Sequence, residues 1–253
     1  MTGSVEQRIQ ELRERIRTCD AAYYGRGESL IGDQEYDRLY RELIDLEREH
    51  PHLVTPDSPT RRVGNDLTKT FPKVEHGTPM MSIDNTYSEQ EVREWVDRTA
   101  RLLSGERVAF VGELKIDGVA AALRYRDGEL VQAITRGNGV VGDDVTANVK
   151  TIRSIPLRVD YTRPFEVRGE VYMTFDAFRR LNRAMVESGG KPMQNPRNTT
   201  SGTVKLQDPR EVARRRLSYA AHFLLAGEKS DSHSANLAFM RKLGFPVVVH
   251  SDI

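Results

Sequence analysis

The sequence holds a single cysteine, Cys19, in 253 residues, which excludes an internal disulfide and a zinc site built on cysteines. It has no run of about 18 apolar residues, so no membrane-spanning helix is predicted. The N-terminus reads Met1-Thr2-Gly3-Ser4 and passes straight into a charged helical pattern. It lacks the apolar stretch of a secretory signal, and a reducing, cytoplasmic setting is expected. The chain also lacks an excess of either charge: 38 Lys and Arg against 37 Asp and Glu leave a net +1. A nucleic-acid binder usually carries a basic footprint. Here basic residues gather only locally, at Arg61-Arg62, at Arg179-Arg180-Arg183 and between Arg210 and Arg216. Solvated helix faces and turns account for such clusters as well as DNA does. Composition therefore neither requires nor excludes DNA. The apolar share of 38% and charged share of 30% are those of an ordinary globular protein.

What is present falls into two parts. Val5, Ile9, Leu12 and Ile16 recur at helical spacing, and a second helical pattern runs from Asp33, a good N-cap, through Tyr36, Leu39, Leu43 and Leu46. Residues 25–32 read as the loop between them, and His50-Pro51 closes the unit. Residues 55–79 contain Pro56, Pro59, Gly64, Pro72, Gly77 and Pro79 and read as a linker or surface wrap. We place the domain boundary there, giving 1–72 and 73–253. The second part opens with Ser88-Glu89-Gln90-Glu91, a capping box leading a helix that carries Val92, Trp95, Val96 and Leu102. Residues 108–114 and 119–125 read as strands. Asp127-Gly128 marks a hairpin into residues 130–135. Residues 165–172 and 217–225 are further strands, and residues 175–186 are a helix ending at Gly189-Gly190. Hairpin-linked strands with helices in separate blocks predict an α+β fold with a largely antiparallel sheet.

Three segments carry the chemistry. Glu113-Leu114-Lys115-Ile116-Asp117-Gly118 sets a lysine between two carboxylates, and alternation puts all three on one face. Lysine attacks only as the free amine, whereas flanking carboxylates favour the ammonium, so a bound metal or another cation has to offset them. A surface ion-pair ladder explains the spacing equally well. Thr135-Arg136-Gly137-Asn138-Gly139 suits a loop approaching a phosphate or ribose, or an ordinary glycine-rich loop. The adjacent Asp143 and Asp144 would point to opposite sides of a strand, which argues against a shared metal, and Asp144 suits a cap for a turn or helix from Val145. Glu166-Val167-Arg168-Gly169-Glu170 alternates so that Glu166, Arg168 and Glu170 share a face, lining a cleft for nucleotide hydroxyls or simply facing solvent.

These segments stand in one order with Asp144-Val145-Thr146-Ala147-Asn148-Val149 and Asn195-Pro196-Arg197-Asn198. Together they resemble the nucleotidyltransferase domain of bacterial NAD-dependent DNA ligases, an ATP-grasp-like ligase domain. The lysine motif alone is shared with ATP-dependent ligases and capping enzymes. The front end, with Tyr23, Asp33, Tyr36, Asp37 and then Pro56-Asp57-Ser58-Pro59-Thr60, resembles the small helical domain of the NAD-dependent enzymes.

The resemblance implies NAD as adenylate donor, Mg2+ as cofactor and nicked duplex DNA as partner, with no membrane and a monomeric state. It implies that Lys115 takes AMP from NAD, releasing nicotinamide mononucleotide, with Asp117 supporting it. Glu113 would accept the adenine amino group, Ser82 and Ile83 would touch the adenosine end, and Arg136 and Glu170 would hold the ribose. Tyr23, Tyr24, Asp33, Gln34, Glu35, Tyr36 and Asp37 would bind the nicotinamide mononucleotide half. Arg197 and Asn198 would contact DNA. Tyr24 stands where the family usually has histidine, and His222 where an aromatic residue commonly stacks on adenine. The chain is expected to end before two further lysine-bearing motifs of the family, so sealing by this chain alone is not expected. The alternative is a module that holds NAD or nicotinamide mononucleotide without turnover.

Overall fold

A computed structural model describes residues 4–26, 30–55, 58–61, 71–103, 106, 108–226, 230 and 232–252. The side chains of Arg17, residues 20–26, Asp33, Arg61, Ala226 and Asp252 stand outside that description. The chain divides into two compact units, residues 1–68 and 69–253, and each is described by itself.

The first unit is a helix pair, α1 (Val5–Arg26) and α2 (Asp33–Glu49). The predicted stripe is the core: Ile9, Leu12 and Ile16 are buried against Leu39 and Leu43, with Tyr36, Tyr40 and Leu46 packed around them. Val5, at the end of the stripe, is exposed. Asp33 is not the cap. Gly32 is the N-cap, with extended backbone and no side-chain cap bond, and Asp33 is the first helical residue. Below the apolar contact lies a buried ion pair. Arg13 donates to Glu47 Oε1 at 3.0 and 2.5 Å and to the Leu53 carbonyl at 2.7 Å. Ser58 Oγ donates to the same carboxylate at 2.6 Å, and Thr60 Oγ1 donates to its other oxygen. Two short 3-10 turns, Pro51–Leu53 and Pro59–Arg61, are thereby fastened to the helices. Burial pushes the Glu47 carboxyl up, but the donors from Ser58, Thr60 and Arg13 outweigh it and hold it below its ordinary value.

The second unit runs β1 (Lys73–Glu75), α3 (Glu89–Leu102), β2 (Val111–Glu113), β3 (Val119–Arg126), β4 (Glu129–Thr135), β5 (Val141–Asp143), α4 (Thr146–Val149), β6 (Phe165–Tyr172), α5 (Phe175–Glu187), α6 (Pro196–Val204), α7 (Pro209–Arg215), β7 (Ser218–Ala226), α8 (His233–Lys242) and β8 (His250–Asp252). Four strands form an antiparallel sheet in the order β4-β3-β6-β7, flanked by the pairs β1-β5 and β2-β8. The α+β expectation holds. The β3-β4 hairpin turns at Asp127 and Gly128, with φ of 53° and 80°, the doubly positive turn that matches strand twist. Ser88 caps α3 by accepting from Glu91 N at 3.2 Å, as its capping box predicts.

One sheet face is core, with Leu123, Tyr125, Val167, Val171, Tyr219 and Leu224 packed against Leu237, Met240 and Phe245 from α8 and beyond. The opposite face carries the polar alternation of β6. In register with Glu170 stand Ala120 on β3 and Ala220 on β7, so small side chains leave depth beside it. At β7 the register slips: Arg168 pairs with Phe223 but Gly169 pairs with Ala221. His222 is the extra residue of a β-bulge, a feature that re-aims side chains.

Three expectations are corrected. The helical stripe of α3 has no buried residue, and Trp95 is half-exposed beside Phe110, with ring centroids 5.2 Å apart. The strand expected over residues 108–114 is confined to Val111–Glu113. Residues 71–79, read as part of a linker or surface wrap, include a strand paired into the second unit: β1 pairs with β5, His76 N donates to Val140 O at 2.8 Å, and Met80 N, at the next residue, donates to Gly139 O at 2.8 Å. Part of the remaining linker, residues 56–57 and 62–70, lies outside the described residues.

Candidate active site

Lys115 lies two residues past the end of β2, next to Leu114, whose N donates to Val249 O at 2.9 Å. Three residues on, Gly118 fixes the approach to the sheet. A Cβ there would lie 2.1 Å from the Val171 carbonyl, so only glycine lets this backbone lie against β6. The lysine segment thus passes beside Glu170. Glu170 is half-buried, and burial raises its carboxyl to about 7, opposed by the nearby charges of Lys115 and Arg197, reinforced by Asp117 and opposed again by Arg136.

Arg197 sits in the first turn of α6, which Asn195 caps by accepting from Asn198 N at 2.8 Å. Its Nε lies 3.2 Å from Asp117 Oδ1. The resemblance gave Arg197 to DNA. The geometry puts it beside Asp117, one of the two carboxylates that flank Lys115. Asn198, its neighbour, is half-buried.

The glycine loop lies across the same face. Gly137 and Gly139 have φ of 55° and 90°. Arg136 Nη1 donates to Ser82 Oγ at 3.2 Å, which joins the loop to the segment expected at the adenosine end. Ile83, in that segment, is exposed. His76 supports the loop from beneath: its Nε2 is 3.1 Å from Thr135 O and 3.2 Å from Arg136 O. Burial holds this imidazole below its ordinary value, and Nε2 donates to the two carbonyl oxygens.

Of the three polar residues of β6, only Glu170 faces this site. Glu166 and Arg168 are buried and paired at 2.8 Å, and Arg124 joins Glu166 at 2.9 Å. Arg168 spends its other donors on Pro79 O at 3.0 Å and Thr78 O at 2.5 Å. Alternation predicted the face correctly but not its cover. Arg168, held by Glu166, pins the extended segment that leads to Ser82.

Glu113 is engaged by a residue that sequence reasoning missed. His233 Nε2 lies 2.8 Å from Glu113 Oε1. No local pattern links positions so far apart in sequence. His222, from the bulge, lies in the field of Glu113, His233, Arg168 and Lys115, and burial lowers its pKa. A half-buried imidazole can present a flat face.

Asp143 and Asp144 do point apart. Asp143 is fully buried, with Lys73 Nζ at 2.5 Å and Lys205 Nζ at 3.4 Å. Asp144 accepts from Thr146 N at 3.0 Å, the expected turn cap. Among the described residues no group of three or more His, Cys, Asp or Glu side chains could hold a metal, and no helix is long and apolar enough to cross a membrane.

In the helical unit, Gln34 is exposed while Glu35, Tyr36 and Asp37 are half-buried on α2. Tyr36 stacks on Tyr40 at 6.0 Å. Glu35 pairs with Arg15 at 3.0 Å and lines a concavity of about 350 Å³ with Arg8, Glu11 and Arg38. The side chains of Tyr23, Tyr24 and Asp33 lie outside the described residues.

Residues 68–253 match the family described as NAD-dependent DNA ligase adenylation domain. Residues 2–64 match the family described as DNA ligase-like, N-terminal NAD+-binding domain. The DNA ligase of Halothermothrix orenii is 47% identical over 249 residues, covering 98% of this chain and 37% of its own. That of Fervidobacterium nodosum is 45% identical over 255 residues, covering 100% and 37%. That of Rubrobacter xylanophilus is 48% identical over 260 residues, covering 99% and 38%. The chain therefore spans about 37% of the length of the first of these relatives.

Proposed function

The chain belongs to the NAD-dependent DNA ligase family, of which it carries the NAD-binding and adenylation domains, and from that premise we propose that it transfers AMP from NAD to Lys115. The observation that carries the reading is the gathering of Lys115, Asp117, Arg136 and Arg197 around the half-buried carboxyl of Glu170. Lys115 Nζ attacks the α-phosphorus of NAD. An N–P bond forms, the bridging P–O bond breaks, nicotinamide mononucleotide departs with the electron pair, and the Lys115 nitrogen releases a proton to solvent. Arg197 pairs with Asp117 beside the lysine and adds positive charge near the phosphate that Lys115 attacks. Glu170 and Arg136 hold the ribose, Glu113 meets the adenine amino group, His222 lies against the base, and Ser82 and Ile83 close the adenosine end. In the helical unit Tyr23, Tyr24, Asp33, Gln34, Glu35, Tyr36 and Asp37 take the nicotinamide mononucleotide half, aromatic faces suiting a cationic ring.

In a chain of the relatives' full length the AMP would pass to the 5′-phosphate of a nick in duplex DNA and be displaced by the 3′-hydroxyl, with Arg197 and Asn198 reaching the DNA once NAD has reacted. Such an enzyme serves replication and repair, as a monomer in the cytoplasm. Magnesium enters this reading with the pyrophosphate of NAD.

The test is intact-mass spectrometry of the chain before and after incubation with NAD and magnesium. The expected result is a gain of one AMP, acid-labile and absent from Lys115→Ala. No gain, with NAD binding retained in calorimetry, overturns the transfer and leaves an NAD-binding module.

A further inference from the structure

His233 is the first residue of α8, and its side chain leaves its own helix to meet β2. Ser232 caps that helix by accepting from Ala235 N at 3.4 Å, so the backbone at this point is set by the cap and not by the imidazole. On one side His233 Nε2 reaches Glu113 Oε1 at 2.8 Å. On the other its ring stands beside Phe223, with centroids 6.5 Å apart. Phe223 pairs in register with Arg168, immediately after the bulge that delivers His222. The Glu113 side chain keeps 25% of its surface open and His233 keeps 35%, so the pair lines open space and is not packed away as a core contact.

A carboxylate has acceptor capacity for about four hydrogen bonds. One donor on Oε1 leaves Oε2 able to accept from a ligand while fixing the plane in which it does so. A freely rotating glutamate at a strand end would have to be ordered on binding, at a cost of about 1 kcal/mol. An N–H donor already in place removes that cost and directs the remaining oxygen toward an amino group. It also sharpens the penalty for a ligand that offers a carbonyl there, because a fixed acceptor facing an acceptor cannot turn aside.

We propose that His233 is a positioning residue for purine recognition: it holds Glu113 so that one carboxylate oxygen selects an exocyclic amino group and rejects a carbonyl at the same place. The inference rests on the reading above that Glu113 faces the adenine of NAD. It gives α8 a part in choosing the base, although His233 itself touches no ligand.

The experiment is calorimetric titration of the full chain with NAD and with the analogue carrying hypoxanthine in place of adenine, which puts a carbonyl where the amino group was. Wild type, Glu113→Ala, His233→Ala and His233→Gln are compared, each checked for folding by circular dichroism. Wild type is expected to prefer NAD. Glu113→Ala removes the preference. His233→Ala reduces it about tenfold, the worth of one hydrogen bond to a charged group. His233→Gln retains most of it, because its amide N–H can still donate to Oε1. A preference that survives His233→Ala intact but falls in Glu113→Ala overturns the inference and leaves the reading of Glu113 standing. A preference unaffected by Glu113→Ala, or no binding of either dinucleotide, overturns that reading and the inference together. Equal losses in His233→Ala and His233→Gln also overturn it, since they mark a requirement for the ring and not for the donated hydrogen bond.

Discussion

Replacing Glu170 by glutamine should strengthen the fold and weaken the site. Its carboxyl is raised from 4.5 to about 7, burial being the dominant cause. Between those values the folded chain holds a proton that the unfolded chain has released, so stability falls as pH rises through that window. At about 1.4 kcal/mol per pH unit, the ionised carboxylate costs the fold about 3 kcal/mol once pH exceeds 7. Glutamine fills the same volume without charge and escapes this cost, although Lys115, Arg136 and Arg197 lose a compensating neighbour. The net gain expected near pH ~8 is therefore about 1–3 kcal/mol, a rise in thermal midpoint of several degrees. Near pH ~5, where the native side chain is neutral as well, the two proteins should melt alike. Binding should move the other way. If the carboxylate is what accepts the ribose hydroxyls, NAD affinity should rise about tenfold between pH ~6 and ~8 in the parent and stay flat and weaker in Glu170→Gln. Circular dichroism melts at the two pH values and calorimetric titrations across the range measure both. A variant no more stable than its parent at the higher pH refutes the burial argument. Parallel pH profiles of affinity refute the role of the carboxylate in binding.

Two further outcomes follow from the geometry. Gly118→Ala should destabilise the second unit by about 3 kcal/mol, because its Cβ would meet a backbone carbonyl at 2.1 Å that no side-chain rotation can relieve; a urea midpoint equal to wild type would contradict the close approach. Glu47→Gln should cost the helical unit about 3–5 kcal/mol by leaving Arg13 buried without its counter-charge. Glu47 is held below its ordinary 4.5, so its stabilisation is present above that value and is lost as pH falls below it. An acid-unfolding midpoint unchanged by the substitution would show that the pair contributes nothing.

Much of the architecture could be read from short-range pattern. The Ile9, Leu12 and Ile16 stripe, the Asp127-Gly128 turn and the Ser88 cap are each decided within a few residues, and each stands as predicted. The misses are of another kind. Asp33 has the chemistry of a cap, but Gly32 has the extended backbone of one, and the sequence rule ranks side chains. Residues 71–79 carry proline and glycine and therefore look loose; what holds them is Arg168 and His76, reaching out from or toward strands far along the chain. Alternation on β6 grouped Glu166 with Glu170 correctly, yet it is silent about which part of a face another segment covers. The bulge at His222 is hidden because one extra residue shifts the register of the strand without altering its composition. Lys115 was found by motif. The partnership of Arg197 with Asp117 needed the fold, since it joins the end of one strand to the start of a distant helix.

The buried carboxylate of Asp143 stands between two ammonium groups, one on β1 and one at the C-terminal cap of α6. Such a trio is uneven in what it can lose. Either lysine can drift to another residue while the carboxylate keeps a partner, but the aspartate cannot change without stranding two cations against each other. Lys205 closes the far end of the helix whose first turn presents Arg197. Mutational freedom is therefore unequal across three residues that look alike on a list of ion pairs, and the position with the least freedom is the one that touches neither solvent nor substrate.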